Sequence, residues 1–356
     1  MDDDEHYPTL DQITPYQRKK IEELRRSVKD ELEGFADYDT DFSMLRWLMG
    51  YDYDLDTIIP RLKWALNTHR ILNPKMPQFE TGEDINEYLR EINVATDYTP
   101  GGVMGFSNSG DVLYVQAIAN VDMTTAVKVG SVGTRIIIDL AGFSKDLLYA
   151  PTLKIYMNLL TLVQALSPDI GRCIYILNAP IFINAAYTML SSVLSKQTKK
   201  KVRFLGNDWK DVLLNELGSE SIFPKWGGCK MARNGLDTGS IRLGGVVPKN
   251  MWYAKRSFDD ETRMKKINVG ARTMEEIKVE GRKGYKIRWL WRVSSGDLDF
   301  VIMKSGQEVW PKMRLSTEFV PEYGIIHCDS TTYTFIFDNS HGKIFAKDVK
   351  YRIELV

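Results

Sequence analysis

The sequence predicts an α/β domain on a largely parallel sheet, with a helical bundle before it and an all-β sandwich after it. Three features carry that expectation. Up to about residue 72 the apolar residues recur at helical spacing among many charges. In the middle of the chain, VLYVQAI, RIIIDL and CIYILNA are short β-rich runs without polar alternation, as expected of strands buried on both faces. The last hundred residues contain no helical pattern, only clustered β-formers separated by turn signals. A chain of 356 residues also exceeds one average core, so two folded domains are expected.

The elements follow in order. In LDQITPYQRKKIEELRRSVKDEL, Ile21, Leu24, Val28 and Leu32 share one helical face. TDFSMLRWLMG supplies Thr40 or Asp41 as an N-cap and Gly50 as a stop. A third helix after Asp54 aligns Leu55, Ile58, Leu62, Leu66 and His69. PGGVMGF reads as a turn, too short for a dinucleotide fingerprint. PTLKIYMNLLTLVQAL is a helix that is apolar almost all round, lying between the second and third strand runs, and VRFLG is a further strand. YKIRWLWRV, LDFVIM, TYTFIFD and VKYRIELV, divided by turns such as SSGD and DNSHGK, give the sandwich signature. The expected limits are 1–72 for the helical subdomain, 73–230 for the α/β domain, 231–250 for a linker rich in glycine and cations, and 251–356 for the sandwich.

Composition narrows the function. Lys plus Arg and Asp plus Glu both number 47, so the formal net charge is zero, and nucleic acid is not an expected partner. Cys173, Cys229 and Cys328 are far apart and the four histidines have no zinc spacing, so no metal site is expected. The acidic start MDDDEHYP is unlike a signal peptide, and the reducing cytosol is the expected compartment. The apolar run CIYILNAPIFINAAYTMLSSVL is interrupted by Asn178, Pro180 and Asn184, which suits strand, turn and helix better than a membrane span.

No catalytic constellation appears: there is no GxSxG, GxxxxGK[ST] or HExxH, and the chain is expected not to be an enzyme. GSVGTR has neither the lysine nor the spacing of a phosphate loop, and Asp139 at the end of RIIID reads as a structural aspartate. After the NAP turn, Ile183, Ala186, Tyr187, Leu190, Val193 and Leu194 form an apolar helical face, and SKQTKKKVR places cations just beyond it. Such a helix suits a membrane interface. It equally suits a core-facing helix whose lysines offset the negative C-terminal dipole.

Taken together, DFSMLRWLMGYDYDLD, RIIIDLAGFS, YILNAP and KKKVRFLGNDWKDVLL ending in FPKWGG resemble the CRAL-TRIO lipid-binding family, over residues from about 10 to 228. IRWLWRVSSGDLDFVIM and YTFIFDNSHGKIFAKDVKYRIELV resemble a GOLD domain. The resemblance implies a non-catalytic module that binds one lipid and transfers or presents it. Its ligand would be a phospholipid such as phosphatidylinositol or a prenoid such as tocopherol, with no other cofactor. Carried onto this chain, Ile138, Tyr175 and Leu177 are floor candidates, Leu153, Tyr156, Leu160 and Val163 wall candidates, and Phe182 to Ser195 the gate. An apolar lining favours such a ligand by about 25 cal/mol per Å² buried. Thr198 and Lys201 fall where phosphatidylinositol-binding members contact the headgroup.

The chain departs from the family pattern in three places. MGYDYD follows LRWL where a basic stretch is usual, Ser191 and Ser192 replace a Lys-Pro pair in the gate, and the crossover 119–134 is shortened. The expected partners are a hydrophobic lipid, a membrane surface met peripherally, and a protein docked by the GOLD domain, with Golgi or endoplasmic reticulum contact. The alternative is a signalling or trafficking adaptor that transfers nothing.

Overall fold

The structure, a computed structural model, describes residues 12–36, 38–72, 79–92, 101–116, 134–143, 150–169, 171–243 and 261–356. The chain divides into two compact units. One runs to Trp252 except for a short piece, Leu66–Pro74, which groups with Tyr253–Val356 in the other.

Helix α1 (Pro15–Ser27) starts at a capping box, in which Thr14 Oγ1 accepts from Gln17 N and the Gln17 side chain accepts from Thr14 N. Its apolar face is buried at Ile21 and Leu24, and Val28 and the short α2 (Lys29–Leu32) continue it. Helix α3 (Asp41–Gly50) is capped by Thr40 and packs on α1, and α4 (Leu55–Leu72) buries Ile58, Leu62 and Leu66. Helix α5 (Gly82–Ile92), which the pattern reading passes over, packs against the first strand.

The sheet of the first unit runs in simple order: β1 (Gly102–Phe106), β2 (Val112–Gln116), β3 (Thr134–Asp139), β4 (Gly171–Leu177) and β5 (Val202–Phe204). The pairs from β2 to β5 are parallel; β1 and β2 form an antiparallel hairpin. PGGVMGF is therefore an edge strand and not a turn. Gly101 and Gly105 both have φ of 134°, the conformation glycine tolerates, which is why the stretch looks like a turn in sequence. Helix α6 (Ala150–Leu166) joins β3 to β4, and α7 (Ile183–Ser191), α8 (Lys196–Lys200) and α9 (Trp209–Leu217) surround β5. The shortened crossover lies almost wholly outside the described residues.

The second unit is a sandwich of two antiparallel four-stranded sheets. Its strands are β6 (Lys265–Val269), β7 (Met274–Glu280), β8 (Lys286–Val293), β9 (Leu298–Lys304), β10 (Gln307–Leu315), β11 (Glu322–His327), β12 (Thr332–Asp338) and β13 (Lys347–Leu355). The orders are β10-β9-β12-β7 and β11-β8-β13-β6. Between them Trp289, Trp291, Phe300, Phe335 and Phe337 are fully buried, their rings meeting edge-on or tilted at 5.1–6.3 Å. Gly324 of β11 faces Trp289 so closely that an added Cβ would come within 2.1 Å of the indole. The ring fills the place a side chain would take.

Candidate functional site

Strand register sorts the parallel sheet into two unlike faces. Leu113, Val115, Ile137, Cys173, Tyr175 and Leu177 lie on one face and are buried with Leu213 and Leu217 of α9 and with Ile222, Phe223 and Trp226. The other face carries Tyr114, Gln116, Ile136, Ile138, Ile174, Ile176 and Phe204. There Ile136, Ile138 and Ile174 are only half-buried, and Phe204 is exposed.

Helices α6 and α7 lie toward this second face. The Tyr156 hydroxyl donates to Gln116 Oε1 at 3.3 Å, and the Tyr187 ring meets Phe204 edge-on at 5.1 Å. Leu160 and Val163 are half-buried on α6, and Phe182, Ile183, Tyr187, Leu190, Val193 and Leu194 are half-buried on and around α7. Phe182 also stacks on Phe143 at 6.2 Å. The structure does not describe the side chains of Leu153 and Ala186. Ile181, before α7, is 98% exposed.

Parity thus divides the floor candidates between the two faces. Ile138 stands on the open face, whereas Tyr175 and Leu177 point the other way, into the core under α9. Side chains alternate across a strand, so one step of register moves a residue from floor to core. Ile136, Ile174 and Ile176 share the open face with Ile138, and the sequence reading names only Ile138 among them; which parity of a two-sided apolar strand faces outward leaves no sequence signature.

Polar groups cluster on the core face. Asp111 is fully buried and accepts from Arg135 Nε at 2.8 Å and from Arg172 Nη1 at 3.1 Å. Arg135 Nη1 donates to the Tyr175 hydroxyl, which donates to Glu216 Oε2, both at 2.7 Å, and Arg203 closes the chain on Glu216 at 2.8 Å. Burial raises the Tyr175 hydroxyl above the ordinary phenol range. A charge on this face is tolerated because each finds a partner. Asp139 is likewise structural, accepting from Ala141 N, Asn178 Nδ2 and Trp226 Nε1.

Beyond α7 a clasp holds the chain: Gln164 Nε2 donates to Val193 O, and Ser195 N donates to Gln164 Oε1 at 3.0 Å. Ser195 caps α8, with its hydroxyl 2.9 Å from Thr198 Oγ1. Lys201 is 8% exposed, and its ammonium forms an ion pair with Asp169. Burial lowers the Lys201 pKa, with Asp169 opposing. Lys196, Lys199 and Lys200 are exposed, and Asp52 of the MGYDYD turn accepts from Gln197 Nε2 at 2.9 Å. The run of cations therefore divides into one buried member and a solvated remainder.

Among the described residues no cluster of His, Cys, Asp or Glu is arranged to hold a metal ion, and no helix is long and apolar enough to cross a membrane. A cleft of about 510 Å³ is lined by Arg90, Asn234, Ile241 and Arg242 among others.

Residues 112–228, from β2 to the segment after α9, match the family model described as CRAL/TRIO domain. The chain is 24% identical over 302 residues to "Protein real-time" of Drosophila pseudoobscura pseudoobscura, covering 74% of this chain and 42% of that one. It is 27% identical over 218 residues to "Protein ctg-1" of Caenorhabditis elegans, 56% of each chain. The chain thus spans about two fifths of real-time and just over half of ctg-1. Among solved structures, Sfh5 matches 64% of this chain and 94% of its own at 14% identity and a TM-score of 0.41. Over residues 112–228 the parallel sheet and its helices thus match a CRAL/TRIO domain, and an antiparallel β domain follows it in the chain.

Proposed function

We propose that the chain binds one hydrophobic lipid between the half-open sheet face and helices α6 and α7, and transfers or presents it at membranes without making or breaking a bond. One observation carries this reading. The sheet is sealed on one face and left partly open on the other, where the residues are nonetheless isoleucines and aromatic rings. Apolar surface that a fold leaves uncovered under a movable helix suits an acyl chain or a prenoid.

The headgroup end favours a ligand without a phosphate at Lys201. A phosphate there would have to displace Asp169 from a buried pair, and Thr198 already shares its hydroxyl with Ser195. The exposed Lys196, Lys199 and Lys200 are left to meet an anionic membrane surface from the cytoplasmic side, with Golgi or endoplasmic reticulum membranes as the proposed places of contact. The β-sandwich, on its resemblance to GOLD domains, is proposed to dock protein partners.

Native mass spectrometry of the purified chain, with extraction and identification of any bound lipid, tests the reading. A stoichiometric lipid is the expected result. A chain that is empty and takes up neither phosphatidylinositol nor tocopherol from vesicles overturns it and leaves the adaptor reading.

A further inference from the structure

The connections β6–β7 (270–273), β8–β9 (294–297), β10–β11 (316–321) and β12–β13 (339–346) all pass from one sheet to the other at the same end of the sandwich, since neighbouring strands are antiparallel in both sheets. The longest of them, after β12, is held rigidly. Asn339, 4% exposed, donates through Nδ2 to Val269 O, Gly270 O and Phe345 O at 3.0–3.2 Å, and its backbone pairs with Arg272 and Thr273. Ser340 N donates to Asp338 Oδ1 at 2.7 Å, and Gly342 N to Asn339 O at 2.9 Å. A Cβ on Gly342 would meet Asn339 Oδ1 at 2.4 Å, so glycine is what lets the chain close over the asparagine. Lys347 Nζ donates to Ser295 O at 3.1 Å, tying the far end of the loop to the β8–β9 turn.

This fixed frame turns its largest side chains outward. Phe345 O accepts from a buried amide, yet the residue is 76% exposed, and Ile344 beside it is 78% exposed. Single exposed apolar residues are ordinary on a protein surface, but fraying does not account for two adjacent ones on a backbone pinned by buried hydrogen bonds. Val320 on the β10–β11 loop and Met274 at the start of β7, each 52% exposed, add apolar surface at the same end. From Ser340 to Lys347 the sequence holds His341, Lys343 and Lys347 and no carboxylate, and Lys343 is exposed. Two projecting side chains cover far less than the roughly 800 Å² per partner of a stable protein interface. A bilayer requires no complementary shape. It takes projecting apolar groups into the acyl boundary, and its anionic headgroups meet the lysines beside them.

We propose that this end of the sandwich docks on a bilayer surface, with Ile344 and Phe345 as the inserted tip and Lys343 at the level of the headgroups. The contact uses loops of the second unit alone and is independent of what the half-open site of the first unit holds.

Flotation of the full chain with vesicles of phosphatidylcholine and about one third phosphatidylserine tests it. The unmodified chain should float, less well on phosphatidylcholine alone and less well as salt is raised. Ile344→Ser with Phe345→Ser should lose roughly tenfold or more in apparent affinity. Met231→Ser with Leu236→Ser removes apolar residues of the first unit that are 87% and 60% exposed, and should float like the unmodified chain. All four positions are exposed, and a thermal melt checks that each variant folds. Insertion itself is read with Phe345→Trp, whose added fluorescence should be quenched by lipids brominated on the acyl chain. The proposal is overturned if the full chain does not float, if the Ile344/Phe345 variant floats unchanged, or if both serine variants lose equally. An added tryptophan that escapes quenching also overturns it, assigning the tip to a protein partner. Lipid copurifying with the Ile344/Phe345 variant, identified by mass spectrometry, separates failure here from failure of the pocket.

Discussion

Lys201 and Asp169 form a buried ion pair beyond α7. Removing one partner leaves the other charged and unpaired in the interior, so Lys201→Ala should destabilise the first unit by about 3–5 kcal/mol in denaturant unfolding. Lys201→Met with Asp169→Leu should recover most of that loss, whereas a headgroup-binding lysine would show no such recovery of stability. Glu322 in the sandwich gives a test with pH. Burial pushes its carboxyl up to about 7 from 4.5, so the folded state holds the proton more tightly than the unfolded chain. That contribution is complete below about pH 4.5 and is lost as pH rises through about 7. Glu322→Gln should therefore flatten the pH dependence of the second unit's melting across this window and raise its melting temperature at alkaline pH.

At the scale of the strand, the two faces of β3 and β4 should respond differently to the same truncation. Leu177→Ala opens a cavity in a sealed core and should cost about 2–5 kcal/mol. Ile138→Ala, on the half-open face, should cost about 1 kcal/mol or less yet reduce lipid uptake from vesicles. A reversed order of the two costs would place the floor on the wrong side of the sheet. Sequence patterns reveal the strands but not this choice. RIIID and CIYIL are apolar at every position, so periodicity identifies buried strands without saying which parity faces the helices. The amphipathic helices are legible for the opposite reason, because Ile21, Leu24, Val28 and Leu32 stand out from charged neighbours. β1 is hidden by its glycines, and β6, β7 and β10 by charged residues that alternate with apolar ones on solvent-facing strands.

For the molecule as a whole, two separate cores imply two unfolding events. Trp291→Ala in the sandwich should lower one calorimetric transition by several degrees and leave the other in place. The coarse plan, helices then α/β then β-sandwich, is readable because each part has its own hydrophobic period. The buried network of Asp111, Arg135, Tyr175 and Glu216 is not, since its members are 24 to 41 residues apart along the chain where they touch. Only the fold brings them together. The Gln164 clasp has a mechanical consequence. The chain after α7 is held twice, by Gln164 at Val193 and Ser195 and by Asp52 at Gln197, while the start of the helix presents Ile181 to solvent. A lever fixed at one end swings from that end. Helix α7 should open by lifting its N-terminal turn about a pivot near Ser192, and amide hydrogens of 183–187 should exchange faster than those of 197–201.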